Sequence, residues 1–145
     1  MAYKGSFYPT NPQKYKGDPS KIVYRSIWER NVMKTFDRNP NILIWASEEL
    51  FIPYLSPIDG KRHRYYPDFL VKVKDKEGKE QKYVIEVKPL SQCYPPKLPK
   101  SGRKTKRYLE ALKTYAVNES KWKFARLWCS KNGYKFKLMT ENICT

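Results

Sequence analysis

Apolar positions change their period along this chain, and the changes divide it into elements. Between Ser26 and about Asn39, Ile27, Trp28, Val32, Met33 and Phe36 recur at helical spacing, and Pro40 stops the run, which predicts a first helix. Ile42 to Ala46 and Leu50 to Leu55 are rich in Ile, Leu, Trp, Phe and Tyr and predict strands interrupted around Ser47-Glu48-Glu49. Ser56 to Arg64 holds Asp59-Gly60 and reads as a turn with a basic flank. Tyr65 to Lys74 and Lys82 to Lys88 predict two further strands, joined across Asp75-Lys76-Glu77-Gly78-Lys79 as a hairpin. Four prolines and five cations make Pro89 to Lys106 a stiffened basic loop that tracks DNA or stays mobile. Helical spacing resumes over about Lys104 to Val117 and Ser120 to Lys131, with Asn118 or Ser120 as a cap between them and Gly133 as a stop. A last strand, Tyr134 to Met139, closes the chain. Ahead of all this, residues 1 to about 20 set Lys4, Lys14, Lys16 and Lys21 among Tyr3, Phe7, Tyr8 and Tyr15, with Pro9, Pro12 and Pro19 blocking regular structure. That arm either lays its rings on bases or on the body, or is a solvated tail. The organisation expected is an arm over 1–20 and one α/β domain over 21–145, without internal repeats.

Folding the hairpin on paper brings chemistry into view. A loop centred on Glu77 puts Asp68 directly opposite Glu86, with Cβ atoms about 4.5–5.5 Å apart. Alternation then places Lys88 on the face of Glu86, while Phe69, Val71, Val73, Tyr83, Ile85 and Val87 form an apolar opposite face that must bury against helices. A slip of one residue would mix the two sets, so the pattern itself supports the register. The same register opposes Lys72 with Lys82, a mild like-charge penalty.

Composition narrows the chemistry. In 145 residues, 30 Lys and Arg face 14 Asp and Glu, a formal charge of +16. With 40% hydrophobic residues and 12 Tyr, 6 Phe and 4 Trp, the chain can bury a core. Such an excess of cations points to a polyanion, because each neutralised phosphate releases a counterion. No run of about 18 apolar residues and no secretion signal is present, which predicts a cytoplasmic protein without a membrane partner. Cys93, Cys129 and Cys144 lack CxxC spacing, and His63 is the only histidine, so a zinc site and multi-histidine hydrolases lack ligands. Any metal must be held by oxygen.

Two carboxylates held together repel unless a proton or a divalent cation lies between them. An oxygen site made by Asp68, Glu86 and the backbone carbonyl of Val87 suits Mg²⁺, with Mn²⁺ as a substitute. Lys88 alongside can orient a nucleophile or neutralise a phosphate, so the pattern predicts phosphodiester hydrolysis. Glu86-x-Lys88 alone is a weak signal and could be a solvated strand face, with Asp68 a strand-entry residue. Pro67-Asp68, the glycine turn and the flanking apolar residues make the composite more specific.

Tyr66-Pro67-Asp68 followed by Ile85-Glu86-Val87-Lys88 resembles the signature of the PD-(D/E)XK nucleases, whose restriction-endonuclease-like fold has a central mixed sheet flanked by helices. The resemblance implies catalytic Asp68, Glu86 and Lys88 with magnesium. Glu29 sits where that superfamily often adds a glutamate from the first helix. Ser26-x-x-Glu29 is equally a capping box, in which Glu29 bonds back to the Ser26 amide. Over roughly residues 1–140, Lys14-Tyr15-Lys16-Gly17-Asp18-Pro19, Tyr24-Arg25-Ser26-x-Trp28-Glu29, Trp45-x-Ser47-Glu48, Ile52-Pro53-Tyr54, Tyr115-x-Val117-Asn118 and Lys121-Trp122-Lys123 look like the head completion proteins of T-even-type phages. This implies a protein acting on packaged DNA in the host cytoplasm or the virion, with phage head or neck proteins as partners. Arg25-Ser26-x-x-Glu29 is also similar to junction-cutting endonucleases of short-tailed phages, which makes branched DNA a substrate to consider.

The expected function is therefore a magnesium-dependent DNA endonuclease of head maturation, selective for structure rather than sequence. Its competitors are a non-catalytic DNA-binding plug of the virion and a junction or flap nuclease of replication and repair. Ser26 and Glu48 are candidates for supporting the site from behind the ligands, Glu48 being as readily a solvated strand end. Lys61, Arg62, Arg64, Lys97, Lys100, Arg103, Lys104, Lys106 and Arg107 are the candidates for phosphate contact, a contact that carries affinity without base preference.

Overall fold

Helix α1 (Ile27–Arg38) begins where Ser26 caps it and ends where Asn39 turns into extended backbone before Pro40. Its apolar stripe buries Val32, Met33 and Phe36 against a sheet. The computed structural model describes residues 4–141; Tyr3 and Cys144 lie outside them. In chain order the remaining elements are β1 (Gly5–Ser6), β2 (Val23–Tyr24), β3 (Ile42–Ser47), β4 (Ile52–Leu55), β5 (Arg62–Tyr65), β6 (Phe69–Lys74), β7 (Glu80–Val87), α2 (Lys106–Asn132) and β8 (Lys135–Met139). The central sheet runs β3-β6-β7-β8, antiparallel at the first two joints and parallel at the last. β4 and β5 form a separate hairpin, while β1 and β2 pair as a short ribbon.

The hairpin register is the one read from the pattern: Phe69 opposes Ile85 and Val71 opposes Tyr83, which carries Asp68 onto Glu86 at the strand entrance. Phe69, Val71 and Ile85 are buried in one core with α1, and Val73, Tyr83 and Val87 pack against it. Lys72 does oppose Lys82. The repulsion is relieved because Lys72 Nζ pairs with Glu80 at 3.0 Å and Lys82 Nζ lies 5.5 Å from the centre of the Tyr134 ring. Gly78, at φ +80°, closes the turn and donates its amide to the Asp75 carbonyl.

A second core lies under α2, where Trp122 and Ala125 meet Ile52, Tyr54 and Tyr65. Here the structure departs from the sequence reading, since α2 is one helix of 27 residues rather than two. Tyr115, Asn118, Trp122, Ala125 and Cys129 alternate at spacings of three and four, so Asn118 occupies a core-facing position instead of a cap. Ser120 stays helical, and its hydroxyl donates to the Leu55 carbonyl at 2.6 Å. Gly133 ends the helix in the left-handed conformation at φ +76°. The basic flank of the Asp59-Gly60 turn also differs from expectation: Arg62, His63 and Arg64 belong to strand β5, and Tyr65 ends that strand instead of starting β6.

The N-terminal segment lays two of its rings on the body. Phe7 and Tyr15 are buried edge-on against Trp45, and the Tyr15 backbone bridges to Trp45, covering the outer edge of β3. Lys14 Nζ donates to the carbonyls of Asp37 and Asn39, satisfying the C-terminus of α1. Tyr8 remains 78% exposed.

Candidate active site

The candidate site lies at one end of the central sheet, where β6 starts and β3 and β7 finish. Asp68 enters β6 directly after Pro67, and its Oδ2 accepts the Val87 amide at 2.8 Å. That bond ties the first carboxylate to the strand bearing the second. Glu86 is buried at 7% exposure. Burial, then the charge of the facing Glu86 and a hydrogen bond shared with it, push the Asp68 carboxyl up to about 8. Two carboxylates this close repel when both are charged, and a counter-charge between them relieves that repulsion.

Lys88 continues the same face two residues on, its backbone amide held by the Met139 carbonyl at 2.9 Å. Among the described residues its ammonium has no ion-pair partner within 4.0 Å. Ser26 Oγ accepts the Glu29 amide at 3.1 Å, the first half of a capping box. The second half is displaced by one residue, because Glu29 Oε2 accepts the Arg25 amide at 3.3 Å rather than that of Ser26. Glu29 is half-buried, and burial with the charges of Asp68 and Glu48 raises its carboxyl. Glu29 thus borders the pair while serving its helix.

Glu48 is more than a solvated strand end. It is the one non-glycine residue with positive φ among the described residues, at +54°. Its amide donates to the Asp68 carbonyl at 3.2 Å, and its carboxylate pairs with Arg25. A left-handed conformation of this kind costs about 1 kcal/mol and persists where surrounding contacts hold it.

The sequence reading missed Tyr65. Its ring is 4% exposed between the sheet and α2, and burial, then the Glu86 charge, raises its phenol. The hydroxyl faces Glu86 yet completes no hydrogen bond of normal geometry among the described residues. Lys121 Nζ lies 5.7 Å from the ring centre. The available signal was an aromatic residue ending a run of three exposed basic residues, Arg62, His63 and Arg64.

Two facing carboxylates, one accepting a backbone amide, form a hard oxygen donor set. Among the described residues no group of three or more His, Cys, Asp or Glu side chains is placed to hold a metal ion. An ion held by this pair would take its further ligands from carbonyl oxygens, such as that of Val87, or from water.

The cations assigned to phosphate fall into two groups. Lys61, Arg62 and Arg64 are exposed on the β4–β5 hairpin, with Arg64 over the Phe51 ring at 4.8 Å. Lys97, Lys100, Arg103 and Lys104 lie in the loop before α2, and Lys106 and Arg107 fall in its first turn. That turn carries no acidic residue. Cations there oppose the helix dipole, an arrangement that favours anion binding over helix stability.

Comparison with known proteins gives the family. A family model described as TnsA-like endonuclease N terminal matches residues 39–141, a span that holds Asp68, Glu86 and Lys88 but begins after Glu29. The head completion nuclease of Enterobacteria phage T4 is 41% identical over 144 residues, covering 98% of this chain and 93% of that protein. With the mixed sheet and a match over most of its length, the chain belongs to the family of TnsA-like endonuclease domains, and it is a relative of the head completion nuclease of phage T4.

Proposed function

We propose that the chain is a magnesium-dependent deoxyribonuclease that cuts phosphodiester bonds by DNA structure rather than sequence, in completing DNA-filled phage heads. The observation that carries the proposal is the Asp68–Glu86 pair, with Glu86 buried and Asp68 partly so, brought together by the hairpin register and missing a counter-charge, with Lys88 two residues further along the chain. Asp68, Glu86 and the Val87 carbonyl would hold the ion, which when bound supplies Lewis-acid polarisation of the scissile phosphate and a more acidic water. Lys88 positions the attacking water and balances charge building on the phosphate. Glu29 orders solvent at the mouth, and the Arg25–Glu48 pair with Ser26 fixes that wall. The cations of the β4–β5 hairpin and the loop before α2 grip the backbone without reading bases. The T4 relative is named for head completion, which supports the same role here. In that role the partners are phage head or neck proteins, and the location is the host cytoplasm or the virion.

The test is nicking of supercoiled plasmid. Mg²⁺ or Mn²⁺ should support cutting that EDTA stops. Glu86→Ala should lower the rate at least about 10³-fold while DNA affinity by anisotropy stays within about twofold. Cutting by Glu86→Ala at the parent rate would remove the catalytic assignment and leave a cationic DNA binder.

A further inference from the structure

Just beyond Lys88 the chain makes a short helical turn, Leu90–Cys93, and this turn, the proline-rich loop and the middle of α2 surround a cavity of about 360 Å³. That volume falls within the range of small-ligand sites, about 300–1,000 Å³. The chemistry proposed above makes no use of it.

Its lining is selective. Asn118 contributes to the wall from mid-helix, 8% exposed, and it is not among the described side chains whose polar atoms are buried without a partner, so its amide is open to the cavity. Asparagine is a poor helix-interior residue, and an amide that opens into a cavity is held by water that a ligand with matching polar groups can replace. The amide offers a donor and an acceptor side by side, the arrangement that pairs with a nucleobase edge. Tyr115 lines the same wall with its ring fixed edge-on against Trp122, 6.5 Å between centres. Tyr94, 63% exposed, stands at the opening with a free aromatic face. Lys97 and Lys100 follow in the same loop, suited to the flanking phosphates.

The cavity wall begins a few residues after Lys88 in the chain. Ser91 in its wall follows Lys88 by three residues, a separation of at most about 11 Å between Cα atoms. Cys93 donates its thiol to the Pro89 carbonyl at 3.6 Å, folding the turn back on that stretch.

We propose that this cavity receives an unpaired nucleobase of the DNA substrate, bonded to the Asn118 amide and stacked on Tyr94, near the phosphate cut at Asp68 and Glu86. This rests on the DNA nuclease reading and supplies its selectivity. Withdrawing a base from the stack is least costly where it is already unpaired, so the cavity favours ends, gaps and branches over intact duplex.

The test uses the full chain in EDTA, where nothing is cut. It is titrated with dAMP and, separately, with 2-deoxyribose 5-phosphate, and followed by heteronuclear NMR. dAMP should give saturable shifts at the Asn118 side-chain amide and at Thr114 and Tyr115, with the sugar phosphate leaving them in place. Asn118→Leu should abolish the shifts at Thr114 and Tyr115, and Tyr94→Ala, a surface change that leaves folding intact, should weaken dAMP about tenfold. Equal shifts from both ligands, or undiminished dAMP binding by Tyr94→Ala, would overturn the proposal. Plasmid nicking without base-dependent shifts removes the cavity assignment alone; base-dependent shifts without metal-dependent nicking remove the nuclease reading alone.

Discussion

At Asp68 and Glu86 stability and function oppose each other. The folded Asp68 carboxyl keeps its proton to about 8, whereas its ordinary value is 3.8. The folded state therefore binds more protons than the unfolded chain across that window, and stability falls as pH rises through it. In EDTA we expect the unfolding free energy to drop between pH 5 and pH 8 by on the order of 2–4 kcal/mol, and Mg²⁺ to restore part of it at the upper end. Asp68→Asn should flatten this dependence and raise stability at pH 8 by about 1–3 kcal/mol while ending cleavage; chemical denaturation at both pH values checks it. A variant less stable than the parent at pH 8 would mean that the carboxylates are not in conflict. Tyr65→Phe removes a hydroxyl that completes no bond of its own, so stability should change by less than about 1 kcal/mol. Cleavage should fall about 10–100-fold if that hydroxyl orients Glu86 in the working state, and an unchanged rate would assign Tyr65 to packing alone.

Among the elements, the register of the hairpin was legible although the start of its first strand was not, and the long helix was read as two. A two-residue period on both strands and a five-residue glycine turn leave one register that buries Phe69, Val71 and Ile85 together. Asn118 and Ser120 mimic a helix boundary, because their intrinsic preference is for caps. Burial of Trp122, Ala125 and Cys129 on one continuous stripe overrides that preference, an outcome local composition does not disclose. The N-terminal segment was ambiguous for a related reason: lysines and aromatics serve a DNA-binding arm and a docked edge cover equally well. Its role shows only in Phe7, Tyr15 and Lys14, which close the core around Trp45 and cap α1. Deleting residues 1–16 should therefore destabilise the domain by more than about 3 kcal/mol or abolish cooperative unfolding, as measured by thermal circular dichroism. A truncated chain melting with the parent would return those residues to the role of a tail.

For the whole molecule, a formal charge of +16 sets association with DNA more than it sets the fold. Replacing Lys97, Lys100, Arg103 and Lys104 by glutamine should make the slope of log K against log salt shallower by about 0.9 for every phosphate those side chains neutralise, with the melting temperature unchanged. An unaltered slope would place the DNA elsewhere on the surface. The sequence alone determined the helix ahead of the sheet and the register of the hairpin, which sets Asp68 opposite Glu86, because period and spacing are local and the register follows from one buried face. Only the tertiary structure decided that Tyr65 faces Glu86, that Arg25 and a left-handed Glu48 wall the site, and that Asn118 turns toward a cavity. Those relations join residues far apart in the chain through packing across two cores, and packing leaves no periodic trace along a single strand or helix.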